Sequence, residues 1–276
     1  MEDLMEISVN LIKELKEKTG AGIVDCKAVL QETKGDLEKA IQILKQKGLS
    51  KADKKAGREA KEGIATFKVE GKKGLILKVN CETDFVAKTN DFKNFVEEVR
   101  DKIFKNNYSF SSTLPADLEE LRRNIIAKVG ENILISEWKF IEAKGELFPY
   151  VHLNKVAVIL DYKLSNSSDK ATEFIKQIAM QITAMNPVSV STEDMPADIL
   201  QNVKNQFYEE AKQTGKPEKI LENIVKGKLD KYFSDVVLLE QPFILDEEKK
   251  VKNVIEEFEK NNNTKLTIYG FVRVSL

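Results

Sequence analysis

The sequence contains few of the residues from which most active sites are built. It has one histidine, His152, and two cysteines, Cys26 and Cys81, among its 276 residues. A zinc site usually takes several Cys or His ligands, and a Ser-His-Asp or Cys-His device would depend on His152 alone. The sequence also lacks a phosphate-binding loop of the GxxxxGKS or GxxxxGKT type. We therefore expect a protein that is not an enzyme, with no catalytic residues, no metal site and no cofactor.

Long apolar runs are absent as well. No stretch approaches the roughly 18 apolar residues that a membrane-spanning helix needs. The acidic N-terminus, Met1–Glu6, lacks the positive charge and apolar core of a signal peptide. With two cysteines that we interpret as packing residues in a reducing compartment, these absences predict a cytoplasmic protein that binds no membrane. A net charge of -1 argues against a general nucleic-acid binder, so no direct nucleic-acid partner is expected.

Apolar residues recur every three to four positions in three short segments at the start of the chain. In the second of these segments, the pattern turns three side chains inward: Val24, Ala28 and Val29. Gly48 is expected to end the third segment, as glycine often does at a helix C-terminus. We therefore predict a three-helix module over residues 1–48, followed by a charged linker over residues 49–63.

Two stretches of the remaining chain look alike. Each consists of a hairpin, an amphipathic helix and a later strand, and the two align without a gap from Gly63 and Gly145 onward. We interpret this as an internal duplication of an α+β unit, in which helices pack on a small antiparallel sheet. The predicted core subdomains are residues 64–144 and residues 145–276.

The second predicted subdomain carries an insertion at about residues 195–233. Two amphipathic segments are separated there by Gly215, and Pro217 suits the start of the second segment. Two such helices bury their apolar stripes on each other in the manner of a coiled coil. We predict an antiparallel helical arm that serves as a contact device.

The segment Asn80–Lys88, with the sequence NCETDFVAK, places two large apolar residues in a polar context. Large apolar residues between a strand and a helix usually fold back into the core, and the pattern alone leaves that interpretation open for Phe85 and Val86. The equivalent stretch of the second copy lacks the Asp-Phe-Val triplet. A triplet that the fold required would be expected in both copies, so the difference favours a function in the first copy.

The same segment resembles the TDFVAK signature of the bacterial elongation factor Ts family. Further segments match that family in order along nearly the whole chain: residues 15–27, Ala127–Asn132, Gly215–Pro217 and Leu239–Phe243. The resemblance implies a ubiquitin-associated-type fold for the first module. It also implies a guanine-nucleotide exchange factor that binds GDP-bound and nucleotide-free elongation factor Tu. Such a factor promotes GDP release by displacing magnesium and disturbing the phosphate site.

The resemblance also implies which residues bind the partner. Phe85 would enter a pocket of the GTPase domain beside the magnesium and phosphate site, with Thr83, Asp84 and Val86 around it. Supporting contacts are implied for six further positions: Val129, His152, Lys13, Lys16, Ile23 and Val24. The sequence departs from the common pattern after His152, where Leu153–Lys155 stands in place of a small Gly-rich turn.

Two other functions would explain parts of the sequence. A ubiquitin-associated-type adaptor would use residues 1–48 and leave the rest of the chain without a role. A ribosome- or RNA-associated binding protein would use the lysines of residues 49–63, and its binding would fall steeply with salt. A GDP-release assay with elongation factor Tu separates the three hypotheses.

Overall fold

A computed structural model describes residues 7–166 and 168–276, with the side chains of these residues except 45 and 48–54. The helices are α1 Val9–Thr19, α2 Ile23–Glu32, α3 Leu37–Lys55, α4 Asp84–Lys88, α5 Asn90–Asn106, α6 Ala116–Val129, α7 Asp169–Met185, α8 Ala197–Lys212, α9 Glu218–Val236 and α10 Val251–Asn262. The strands are β1 Glu62–Glu70, β2 Lys73–Cys81, β3 Leu134–Glu142, β4 Glu146–His152, β5 Val156–Leu164, β6 Pro242–Phe243, β7 Asp246–Lys250 and β8 Leu266–Ser275. N-terminal helices followed by small sheets and helices confirm the predicted α+β class.

The chain divides into two compact units. The first comprises the described part of Met1–Lys68 together with Leu77–Lys139 and Val274–Leu276. The second comprises Val69–Ile76 and Phe140–Arg273.

The first unit begins with α1, α2 and α3, which close around a core of their own. The Ser8 side chain accepts a hydrogen bond from the Leu11 amide at the start of α1, and Gly20 ends that helix with a φ of 68°. Six buried apolar side chains fill the centre: Leu15, Cys26, Val29, Leu30, Ala40 and Leu44. Cys26 is therefore a packing residue, as predicted.

Two details of these helices differ from the sequence-based prediction. Helix α3 continues through Gly48 to Lys55, so the prediction that Gly48 ends it was wrong, and the first half of the predicted linker is helical. A glycine inside a helix costs about 1 kcal/mol relative to alanine, which strong helix formers on both sides offset. Val24 and Ala28 are exposed rather than turned inward, because α2 buries its other face.

The first three-stranded sheet has the order β1-β2-β3, with β2 in the centre. Helix α5 turns six buried side chains inward: Phe92, Phe95, Val96, Val99, Ile103 and Phe104. Helix α6, which the sequence analysis did not predict, adds Leu118, Ile125 and Ile126. Cys81 is completely buried at the end of β2, again as a packing residue.

The second three-stranded sheet has the order β4-β5-β8, which repeats the order of the first sheet. Strands β4 and β5 pair antiparallel, with His152 opposite Val156. Their core includes α7 together with α10, and Phe174 of α7 stacks on Phe258 of α10 with ring centroids 4.0 Å apart. Neither α10 nor the β6-β7 hairpin was predicted.

The two hairpins differ by one residue, so the gap-free alignment was wrong. Two residues separate β1 from β2, whereas three separate β4 from β5. The starting glycines nevertheless occupy matching places. A Cβ on Gly63 would lie 2.0 Å from the Val79 carbonyl oxygen, and a Cβ on Gly145 would lie 2.1 Å from that of Tyr162. With the gap included, the second copy still lacks the Asp-Phe-Val triplet.

Helices α8 and α9 form the helical pair that the sequence predicted. A turn at Gly215, whose φ is 66°, joins them. Phe207 and Tyr232 meet edge to face with ring centroids 6.2 Å apart, and the Tyr208 hydroxyl donates a 2.6 Å hydrogen bond to Glu218. These contacts hold the two helices to each other.

Candidate partner-binding site

Phe85 lies on a short helix immediately after the central strand of the first sheet. Its side chain is 78% exposed, which is unusual for a large aromatic residue. The alternative that Phe85 folds back into the core is therefore wrong. The segment predicted as a loop is instead the single helical turn α4, which carries Phe85 in its first turn.

Side-chain hydrogen bonds fix both ends of α4. At its start, the Thr83 hydroxyl accepts a 3.3 Å hydrogen bond from the Val86 amide. At its end, the Thr89 hydroxyl donates to the Val86 carbonyl at 2.8 Å and accepts from the Phe92 amide at 3.3 Å. Thr89 therefore closes α4 and opens α5, whose Phe92 is completely buried. The exposed Phe85 side chain thus stands on a turn that is anchored to the core.

Asp84 and Lys88 form an ion pair along the same turn. The Lys88 Nζ lies 2.6 Å from the Asp84 Oδ2, at the i, i+4 spacing at which opposite charges meet on a helix. This hydrogen bond to the Asp84 carboxylate raises the pKa of Lys88. A polar pair therefore stands beside the apolar Phe85 side chain.

Glu131 binds the residues that precede α4. Its Oε2 accepts hydrogen bonds from the amides of Glu82 and Thr83, both at 3.0 Å, and its Oε1 accepts from the Thr83 hydroxyl at 2.6 Å. In return, the Glu82 Oε1 accepts a 2.6 Å hydrogen bond from the Asn132 amide. We call these four residues the Glu131 clasp. Glu131 was not among the predicted site residues, because no local pattern connects residues so distant along the chain.

The amino-acid sequence of this chain is similar to those of known proteins from one family. Residues 82–276 match the family model described as elongation factor TS. Elongation factor Ts of Aquifex aeolicus is 42% identical over 270 residues, which cover 92% of this chain and 93% of the relative. Elongation factor Ts of a Hydrogenobaculum species is 40% identical over 284 residues, or 99% of each chain. This chain belongs to the elongation factor Ts family.

Elongation factor Ts proteins are nucleotide-exchange factors for elongation factor Tu in translation elongation, not enzymes. The family assignment therefore confirms the resemblance drawn from the TDFVAK signature and the prediction of a non-enzymatic role. Within the described residues, no group of three or more His, Cys, Asp or Glu side chains is arranged to hold a metal ion. No helix in that part of the chain is long and apolar enough to cross a membrane.

The N-terminal residues that the elongation factor Ts resemblance assigned all reach the surface. Lys13 and Lys16 are exposed on α1. At the start of α2, Ile23 is 58% exposed and Val24 is 81% exposed. Two adjacent apolar side chains thus face outward at the start of α2, on a module whose core is formed by Leu15, Cys26, Val29, Leu30, Ala40 and Leu44.

Val129 and His152 complete the set of assigned residues. Val129 is the half-buried last residue of α6 and lies two positions before Glu131 in the sequence. His152 is exposed at the end of β4 in the second unit, where its Nδ1 lies 3.3 Å from the Tyr150 hydroxyl. The turn that follows has a positive φ at Leu153 and at Asn154, 50° and 58°. The replacement of the Gly-rich turn therefore places a leucine in a conformation that glycine adopts more easily.

Proposed function

We propose that this chain promotes GDP release from elongation factor Tu by inserting Phe85 beside the magnesium and phosphate site of the GTPase domain. The observation that supports this role most strongly is a large apolar side chain, 78% exposed, on a turn fixed by hydrogen bonds. Burial in a partner's pocket recovers roughly 1.5–3 kcal/mol for a side chain of this size. Because α4 is already ordered, little further ordering is needed on binding.

The mechanism requires no covalent step. GDP and magnesium are held by charge and by a preorganised backbone, so a wedge that shifts this backbone displaces magnesium and disturbs the phosphate site. By thermodynamic reciprocity, the factor binds nucleotide-free elongation factor Tu more tightly by the same ratio by which it weakens GDP binding. Both the GDP-bound and the nucleotide-free forms are therefore partners.

The other assigned residues extend the contact. Thr83 caps the helical turn α4, Asp84 places a polar group next to Phe85, and Val86 adds apolar contact area beside Phe85. Val129 supports this contact from the end of α6. Four exposed residues of the N-terminal module lie against the GTPase domain: Lys13, Lys16, Ile23 and Val24. His152 contacts another domain of the partner.

We also propose that different segments of the chain have different roles. Residues 1–48, with the rest of α3, form a ubiquitin-associated-type contact module, and the remainder of residues 49–63 connects it to the core. The equal strand order of the two sheets supports a duplicated core over residues 64–144 and 145–276. The arm at about residues 195–233 is an additional contact element.

The test is a nucleotide-release assay. Elongation factor Tu from the same organism is loaded with fluorescent GDP and chased with excess unlabelled GDP at a limiting amount of this chain. We expect faster release, with each molecule of the chain acting on several GTPase molecules. A ubiquitin-associated-type adaptor or an RNA-binding protein would leave the release rate unchanged, and that result would overturn the proposal.

Magnesium dependence tests the finer mechanism in the same assay. If displacement of magnesium is part of the action, chelation of magnesium performs that step in advance. The fold stimulation by the chain should therefore shrink when magnesium is chelated. Equal stimulation with and without magnesium would contradict magnesium displacement and leave only the disturbance of the phosphate site.

A further inference from the structure

We propose that Glu131 is a positioning residue for nucleotide exchange: its carboxylate fixes the chain at Thr83 and thereby sets how α4 presents Phe85 to the partner. This inference rests on the proposed role of Phe85. It assigns a function to a side chain that lies outside the TDFVAK segment and reaches it only through the fold.

The carboxylate supplies acceptors that the local secondary structure does not provide. Strand β2 ends at Cys81 and α4 begins at Asp84, so the intervening amides belong to neither element. The amides of Glu82 and Thr83 both donate to the Glu131 Oε2 at 3.0 Å. One oxygen atom thus fixes two consecutive peptide groups directly before the turn that carries Phe85.

The second oxygen orients the cap of α4. The Thr83 hydroxyl donates its hydrogen to the Glu131 Oε1 at 2.6 Å, so a lone pair of the same hydroxyl remains for the Val86 amide at 3.3 Å. A hydrogen bond to an ionised acceptor is roughly twice as strong as one between neutral groups. Without Glu131, the Thr83 hydroxyl is free to rotate, and the start of α4 loses its fixed geometry.

Glu131 itself stands on a firmly held loop. The neighbouring Asn132 is completely buried, and its side-chain amide donates to the Arg58 carbonyl at 2.7 Å. Its backbone amide donates to Glu82, and the Arg58 guanidinium lies 3.6 Å from the same Glu82 oxygen. The loop at Glu131 and Asn132 therefore both accepts hydrogen bonds from the residues that precede α4 and donates one to them. A misplacement of about 1 Å in a contact residue can cost on the order of 100-fold in rate, so this support is functionally relevant.

The first experiment compares Glu131→Ala, Glu131→Gln and the matched control Glu97→Ala, which alters an exposed residue of α5. In the GDP-release assay at limiting factor, Glu131→Ala should lose about 10-fold. Glu131→Gln should lose less, because its carbonyl oxygen still accepts from the two amides, and Glu97→Ala should match the parent. In the isolated chain, hydrogen exchange at the Thr83 amide should accelerate in Glu131→Ala but not in the control.

A double-mutant cycle with Phe85→Ala then tests whether Glu131 acts through Phe85. In the Phe85→Ala background, Glu131→Ala should change release by less than about two-fold. Additive losses, or parent-like release by Glu131→Ala despite faster exchange at Thr83, would overturn the inference. If Phe85→Ala alone releases GDP like the parent, the proposed wedge fails and the positioning role fails with it. Loss in Phe85→Ala together with parent-like Glu131→Ala refutes only the role of Glu131.

Discussion

Truncation of Phe85 to alanine distinguishes an exposed contact residue from a core residue. Phe85 is 78% exposed. Folding therefore removes about a fifth of its surface from water, and its contribution to the free energy of unfolding is roughly 0.3–0.7 kcal/mol. A loss of that size lowers the Tm of a chain of this length by about 1–3 °C. The matched control is Phe92, which is completely buried and whose truncation should cost about 3–5 kcal/mol through a cavity.

The effect on exchange should be much larger than the effect on stability. As a central anchor of an interface, Phe85 should contribute about 2–4 kcal/mol, so Phe85→Ala should lose roughly 30- to 700-fold in stimulated GDP release. Asp84→Ala should lose less, because it removes polar contacts rather than the wedge. Thermal melting by circular dichroism and the release assay provide the two readouts. A Tm that falls as far as in Phe92→Ala, with release per folded molecule preserved, would refute the reasoning.

Three further predictions concern other parts of the chain. Replacement of residues 197–233 by a short linker should leave a cooperatively folding protein with altered affinity for elongation factor Tu; loss of the melting transition would place the arm in the core. Leu153→Gly should raise the Tm by about 1–3 °C, since it relieves a positive φ that costs a leucine about 1–2 kcal/mol, of which roughly 0.5–1 kcal/mol is offset by the greater conformational entropy of glycine in the unfolded chain; a lower Tm would contradict this. Hydrogen bonds from Arg122 and then Arg123 lower the pKa of the Glu119 carboxyl in the folded chain. The resulting stability is present above the unfolded pKa of about 4.3 and is lost as the pH falls through the folded pKa. The Tm difference between the parent and Glu119→Gln should therefore be full at pH 7 and vanish in acid, and a constant difference would argue against the ion pairs.

Periodicity predicted the elements that bury one long face. Helices α5 and α7 place apolar residues every three to four positions over 17 residues each, and both were identified correctly from that pattern. Helix α4 has five residues, too few for a period to show, and was taken for a loop. Helix α6 was not assigned, although Leu118, Leu121, Ile125 and Val129 recur in it at helical spacing. Helix α10 also has a regular apolar face, formed by Val251, Val254, Ile255 and Phe258, and it was not assigned either. Shortness therefore explains why α4 was missed, but the missed α6 and α10 carried the same kind of pattern as α5 and α7.

Some features of the candidate site were also predictable from the sequence, and others were not. The Asp-Phe-Val triplet was visible because it is local, and its absence from the second copy distinguished it from a requirement of the fold. The exposure of Phe85 was not decided by the pattern, because an apolar residue in such a position more often packs inward. The Glu131 clasp joins residues that are almost 50 positions apart in the sequence and are brought together only by the tertiary fold. A single sequence carries no signal for such a pairing.

The Thr89 hydroxyl, which hydrogen-bonds both at the end of α4 and at the start of α5, restricts how α4 can be grafted onto another protein. Because α4 ends and α5 begins at the same residue, no flexible residue separates them, and the direction of Phe85 is set by a helix packed in the core. A synthetic peptide of residues 82–89 would lack both α5 and Glu131, and would sample many orientations of the phenylalanine. Transplantation of the wedge into a new scaffold, or imitation of it by a small cyclic inhibitor, therefore has to reproduce the first turn of α5 and an acceptor in the position of the Glu131 carboxylate.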